Sequence, residues 1–242
     1  MRRLNKTPKP QVLEVSSQEW TARFMATCGS GEVTFTPWRE SSLVTALVLE
    51  TGGKCAYCEA VIADVAAPNV EHIAPKSQRP DLVVDWHNLT LACPSCNSAK
   101  GAYYSASAPL LNPYVDDPER HLIFAGPAVT GRPGDNLGAI TVAKLKLMRA
   151  ALVVERSKRI QNLADLIDRW FRAPDDDSRL VFEEVVRDAL GDDAEFVGTL
   201  RAYAALVGFP VPVPVAGDGL LVDLLSAISP AVAASDGPHG VV

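Results

Sequence analysis

The sequence predicts an α+β fold, mostly α, in which a small core held by a four-cysteine zinc knuckle is flanked by N- and C-terminal helices. Four of the five cysteines fall in two tight pairs, "CAYC" at 55–58 and "CPSC" at 93–96, with 34 residues between them. Helix-period stretches lie on both sides of that core, and "APLLNPYVDDPERHLIFAGPAVTGRPGDNLG" (108–138) carries too much proline and glycine for a long helix but leaves room for two short strands.

Three zones follow in order. Residues 1–53 begin with an extended, proline-punctuated arm, then the amphipathic stretch "SSQEWTARFMATC" (16–28), then "PWRESSLVTALVLETGG" (37–53), where Pro37 suits a helix start and Gly52-Gly53 its end. Residues 54–104 hold all the paired cysteines and close on "NSAKG", which reads as a helix that begins and stops. Residues 105–242 open with the turn-rich segment. Apolar residues then recur at three and four from Ile140 to Phe171 with no glycine or proline, predicting one long helix or a barely broken pair. "DSRLVFEEVVRDALG" (177–191) and "DDAEFVGTLRAYAALVG" (192–208) each open on acids and end in glycine, which suits the helix dipole and the C-cap. A last short helix is expected in "GLLVDLLSAIS" (219–229), ahead of a fraying Pro/Ala/Ser/Gly tail.

At 242 residues and 48% hydrophobic side chains the chain can bury one core without covalent staples. No apolar run approaches the roughly 20 residues that a membrane span needs, and the basic start has no apolar region behind it, so a cytoplasmic location is expected. An odd cysteine count with two CxxC pairs fits metal chemistry in a reducing compartment better than a disulfide framework. The unpaired Cys28, after an amphipathic stretch, is expected to be a small buried hydrophobe.

The net charge of −6 is the wrong sign for a free-standing nucleic-acid binder, but the charge is segregated. Residues 1–10 carry four basic groups and no acid, 141–172 carry eight basic against three acidic, and 173–242 hold twelve acids and three arginines. The basic stretch reads either as a strip that meets phosphates or as solvated helix faces.

Each CxxC pair can present two thiolates to one tetrahedral ion, so Cys55, Cys58, Cys93 and Cys96 are expected to hold one structural zinc. A redox role is the competitor, but one CxxC suffices for that chemistry, and no βαβ pattern surrounds either. Between the pairs lie "VEHIAPKS" (70–77) and "DWHNLTLACPSCNSAKG" (85–101). An acid-His pair, W-x-N-L, a short apolar strand, the second CxxC, an Asn directly behind it and a Lys-Gly occur in that order. Together they resemble the HNH nuclease motif in its zinc-knuckled ββα-metal form.

That resemblance implies roles. His72 would be the general base, Glu71 and Asn97 would hold a catalytic ion, and Asn88 would pin the loop that orients His72. An imidazole near its intrinsic pKa suits proton abstraction at physiological pH, and oxygen donors suit a hard cation, magnesium or manganese. The motif here has Glu before the histidine where many HNH proteins have Asp, and Asn at the last position where the name implies His; both still supply oxygen. Lys76 and Lys100 are candidate phosphate contacts, and His87 is expected at the surface. With "MRRLNK", "KCAYCE", "LLNPYVDDPERHLIF" and "LKLMRAALVVER", residues 1–160 resemble the HNH subunit of Septu-type and retron-associated anti-phage systems. This implies an endonuclease acting on DNA beside an ABC or OLD-like ATPase. An RNA-cleaving effector, for example one acting on tRNA, and a catalytically silent zinc-knuckle adaptor are the alternatives. Residues 54–104 carry four basic groups and five acids, a poor phosphate footprint that a partner could complete.

Overall fold

A computed structural model describes residues 1–28, 35–62 and 69–211; the expected helix in "GLLVDLLSAIS" and the tail behind it lie outside the described residues. The first zone forms α1 (Gln11–Thr27) and α2 (Ser41–Thr51). α1 begins at Gln11 behind Pro10, before its amphipathic stretch, and buries Leu13 and Phe24. α2 is preceded by a single 3-10 turn at Pro37–Arg39, and the Glu40 carboxylate caps it by accepting from the backbone N–H groups of Ser42 and Leu43. It stops where expected. Gly52 takes φ +63°, the left-handed region that a Cβ disfavours, and the Gly53 N–H then reaches the carbonyl of Val48 at 2.8 Å. Leu43 and Leu47 of α2 are fully buried, contributing about 1.5–3 kcal/mol each.

The arm before α1 is laced onto the core. Lys6 pairs with Glu50 at 3.0 Å, and its ammonium lies 4.3 Å from the ring centroids of both Trp86 and Tyr114. The Trp86 indole donates to the carbonyl of Thr7 at 2.9 Å.

The cysteine-bearing zone builds a two-stranded antiparallel sheet of β1 (Asn69–His72) and β2 (Leu89–Ala92), with Glu71 opposite Thr90 and His72 opposite Leu89. β2 runs straight into α3 (Pro94–Lys100), which ends at Gly101 with φ +53°. The turn-rich segment supplies a second hairpin, β3 (Leu122–Ala125) and β4 (Ala128–Gly131). This is the mostly helical α+β architecture that the patterning predicts.

The expected helix from Ile140 to Phe171 is a pair, α4 (Asn136–Lys144) and α5 (Ala150–Phe171). Its break is larger than periodicity suggests. Leu145 and Leu147 both turn into the core, and Lys146 between them adopts φ +50° to let them do so. α4 also starts earlier, capped by the Asp135 carboxylate on the Gly138 N–H at 3.0 Å. Gly138 serves close approach to the hairpin: a Cβ there would stand 2.1 Å from the His121 carbonyl oxygen.

α6 (Asp176–Ala189) follows its pattern, but the acids at 192–195 do not open the last helix, α7 (Val197–Leu206). They tie that turn to the cysteine-bearing zone instead. Buried Lys54 donates to the carbonyls of Asp192 and Ala194, Glu195 accepts from the Val61 N–H at 3.0 Å, and Phe196 is buried at φ +56°.

Two apolar clusters result. One runs through α1, α2, the sheet, α3 and the β3–β4 hairpin as far as Phe196, and the other joins α5, α6 and α7 through Leu163, Ile167, Val186 and Leu200. Among the described residues no helix is long and apolar enough to cross a membrane.

Candidate metal centre and active site

The two cysteine pairs converge. One ligand sulfur from each of Cys55, Cys58, Cys93 and Cys96 lies within 4.8 Å of the others. A tetrahedral Zn–S distance of about 2.3 Å implies a sulfur–sulfur edge of about 3.8 Å, and the Sγ atoms of Cys58 and Cys93 stand 3.8 Å apart. The donor set and its spacing therefore fit zinc. The backbone shapes each knuckle. Cys55 accepts from the Glu59 N–H at 2.9 Å to close the first, while Cys93 is the N-cap of α3 and its sulfur accepts from the Cys96 N–H at 3.4 Å.

One side chain at this cluster escaped the sequence reading. Arg149, the residue before α5, donates from Nη1 to Cys96 Sγ at 3.5 Å and from Nη2 to Cys58 and Cys93 Sγ at 3.6 Å each. Four thiolates around Zn²⁺ leave a double negative charge in a buried place, and a guanidinium with several N–H groups in one plane offsets it. Burial works against the Arg149 charge, the sulfurs of Cys96 and Cys58 favour it, and the net effect holds its pKa above the ordinary value.

Glu71 and His72 end β1 beside the knuckle, and both are almost fully buried. The His72 Nε2 lies 2.9 Å from the carbonyl oxygen of Val83. A carbonyl only accepts, so Nε2 carries the proton and Nδ1 keeps its lone pair. The ring meets Trp38 edge to face, with centroids 5.1 Å apart. Burial, and secondarily the charges of Lys76 and Lys100, lower the His72 pKa to about 4, so the imidazole is neutral at physiological pH.

Asn88 acts on the intervening loop. Its Oδ1 accepts from the Ala74 N–H at 2.7 Å, and its Nδ2 donates to the carbonyls of Ala74 and Leu82 at 3.0 Å each. Those bonds clamp both ends of the turn from 74 to 82, directly before the carbonyl that holds His72. Glu71, His72, Lys76 and Asn97 line one cavity of about 350 Å³. Two residues that carry oxygen donors, Glu71 and Asn97, thus line a shared space, a pair suited to a hard divalent cation.

The two candidate lysines are placed differently. Lys76 lines the cavity, its ammonium 5.1 Å from the Trp38 ring centroid. Lys100 is buried: it pairs with Glu71 Oε1 at 2.6 Å and donates to the His72 carbonyl at 2.8 Å, bracing the end of β1. Burial pushes the Glu71 pKa up, and the Lys100 charge and hydrogen bond oppose it. His87 is exposed. Cys28 is a correction: it is exposed rather than buried, because α1 ends at Thr27 and Cys28 leaves the helical stripe with extended backbone.

Residues 55–102 match the family model of HNH endonucleases. Over this stretch the chain is similar to HNH endonuclease domains. Two curated relatives are similar over a longer stretch. "Septu protein PtuB" of Bacillus thuringiensis is 36% identical over 111 residues, covering 46% of this chain and 42% of the relative. "Septu protein PtuB" of Bacillus mycoides (strain KBAB4) is 30% identical over 155 residues, covering 51% and 52%. The chain thus spans about half or less of the length of these relatives. The four-cysteine cluster and the Glu71-His72 pair both fall inside the matched residues.

Proposed function

We propose that the protein is a metal-dependent endonuclease that hydrolyses phosphodiester bonds in DNA, and that it serves as the nuclease subunit of an anti-phage defence system beside an ATPase of the ABC or OLD-like class. The observation that carries this reading is the buried, neutral His72, its Nε2 committed to the Val83 carbonyl, in one cavity with Glu71 and Asn97. His72 Nδ1 takes a proton from water. The water oxygen forms its bond to phosphorus as the bond from phosphorus to the leaving sugar oxygen breaks. Magnesium or manganese, when bound, holds the scissile phosphate and neutralises the leaving oxygen. Glu71 and Asn97 would hold that ion, Lys100 braces Glu71, Asn88 keeps the loop that orients the imidazole, and Lys76 attracts a phosphate.

The zinc site has a different task. Cys55, Cys58, Cys93 and Cys96 bring the turn at 55–58 onto the start of α3, so a bound ion would contribute to folding rather than to the reaction. Similarity to two Septu proteins supports the defence role, and the poor charge balance of the motif region supports a partner that completes the groove.

The test incubates purified protein, with and without the ATPase encoded beside it, with plasmid, single-stranded DNA and total RNA in magnesium or manganese. DNA cleavage that needs added metal and is lost in His72→Ala is the expected result. Cleavage confined to RNA would reassign the substrate. No cleavage in any arm, with the partner present, would leave the silent adaptor as the better reading.

A further inference from the structure

A second cavity, of about 380 Å³, adjoins the one that holds His72. The two share Val70, Lys76 and Asn97 as lining residues, so Lys76 and Asn97 stand between them. On the far side the lining is Trp38, Arg39, Val44 and Asn69. We propose that this second cavity takes the phosphodiester backbone flanking the scissile bond, with Arg39 as its phosphate contact and Lys76 bridging the two spaces. This rests on the nuclease reading above and adds the direction in which the strand leaves the site.

Charge is the first support. Arg39 lies in the 3-10 turn before α2 and is exposed, and among the described residues its side chain forms no ion pair or hydrogen bond. Lys76 likewise forms no salt bridge among them; its ammonium rests on the Trp38 ring, and its charge reaches Glu71 only at longer range. The two acids closest to this region in sequence are both engaged. Glu40 caps α2 through the N–H groups of Ser42 and Leu43, and Glu71 is paired with Lys100. Two cations therefore face a cleft whose neighbouring carboxylates already have partners, although the chain as a whole is acidic.

Shape is the second support. A strand whose scissile phosphate sits against Glu71, His72 and Asn97 has to leave past one of the residues that bound that cavity. Asn97 opens on both spaces, and behind it Val44 and Val70 offer an apolar wall for sugar or base while Arg39 offers a fork suited to phosphate oxygens. Trp38 is buried and edge-on to His72, so the cleft reads the backbone rather than stacking a base.

The test uses the full chain in a His72→Ala background, which retains substrate. Fluorescence anisotropy with labelled single-stranded DNA, duplex DNA and RNA of one length is measured at several salt concentrations. Arg39→Gln should weaken binding about 3- to 10-fold and flatten the slope of log affinity against log salt by about 0.7–0.9, the effect of one lost phosphate contact. The DNA and RNA arms identify which backbone is bound. In the active background the same substitution should raise KM more than it lowers kcat, Arg39→Lys should recover part of the loss, and the melting temperature should not move. Unchanged affinity and slope in Arg39→Gln, with tight binding in the parent, would overturn this inference alone. No binding of any nucleic acid by the parent, with or without its ATPase, would overturn it together with the nuclease reading.

Discussion

Because the Val83 carbonyl can only accept, it decides both the tautomer of His72 and the ring nitrogen left with a lone pair, and the burial that surrounds the ring decides its charge. With a folded pKa of about 4 against about 6.5 for a free imidazole, the proton is held more weakly in the folded chain than in the unfolded one. The group's contribution to stability is therefore present above about pH 6.5 and is lost as pH falls towards 4. Activity should hold to a plateau from pH 8 down to about 6, and a bound cation beside Glu71 would push the acid limb lower still. A rate that halves near pH 6.5 on a non-titrating substrate would contradict this. Replacing His72 with alanine should cost about 10²–10⁴ in kcat with zinc content unchanged, measured by cleavage assay and metal analysis. His72, Glu71 and Asn97 are legible in the sequence because they belong to one short motif whose spacing mirrors a strand, a loop and a helix. Cys28 was not, since nothing local distinguishes the last residue of a helix from the first residue beyond it.

At the scale of elements, the start of α5 is fixed by two arginines. Arg149 meets three cysteine sulfurs, and about two turns later Arg156, 2% exposed, donates to the carbonyl of Leu147 at 2.9 Å and faces the Phe196 ring. The break between α4 and α5 is what aims Arg149, since Leu145 and Leu147 must first turn inward. Periodicity predicts the helices on either side of that break but carries no information about a turn made by apolar residues, and a partner 53 residues beyond Cys96 leaves no spacing signal. Arg149→Met should speed zinc loss to a chelator by about 10- to 100-fold, the usual range for residues that support metal ligands, and Arg149→Lys should recover only part because one nitrogen cannot reproduce the fork that reaches the sulfurs from Nη1 and Nη2. A metal-sensitive dye reads this without any nuclease assay. Cys55→Ser or Cys96→Ser should go further and give insoluble or unfolded chain, since a lost ligand removes folding free energy outright. A zinc-free protein with an unchanged circular dichroism spectrum would refute the structural role.

For the whole molecule, the sequence shows a basic stretch at 141–172 followed by an acidic one, and only the folded arrangement tells what those charges meet. Most of the basic groups have internal partners. Arg149 lies on the cysteines, Arg156 is buried on carbonyls, Lys158 pairs with Glu155 at 2.7 Å, Arg159 with Glu195 at 2.8 Å and Arg172 with Asp168 at 2.8 Å. Lys144 stands 5.0 Å from the Tyr103 ring centroid, leaving Lys146 and Arg169 with no such partner among the described residues. Two cations too far apart in sequence to share one turn are a weak footprint for a polyanion, so the solvated-face reading of this stretch is the better one. The double variant Lys158→Glu, Arg159→Glu tests it. Each pair is exposed on at least one side, so reversing them should cost about 1 kcal/mol or less, with most of the loss at Arg159, whose partner Glu195 also holds the Val61 N–H. Nucleic-acid affinity and its salt slope should match the parent at two salt concentrations, because no phosphate contact is removed. A flatter slope in the double variant, at unchanged melting temperature, would return α5 to the substrate-binding surface.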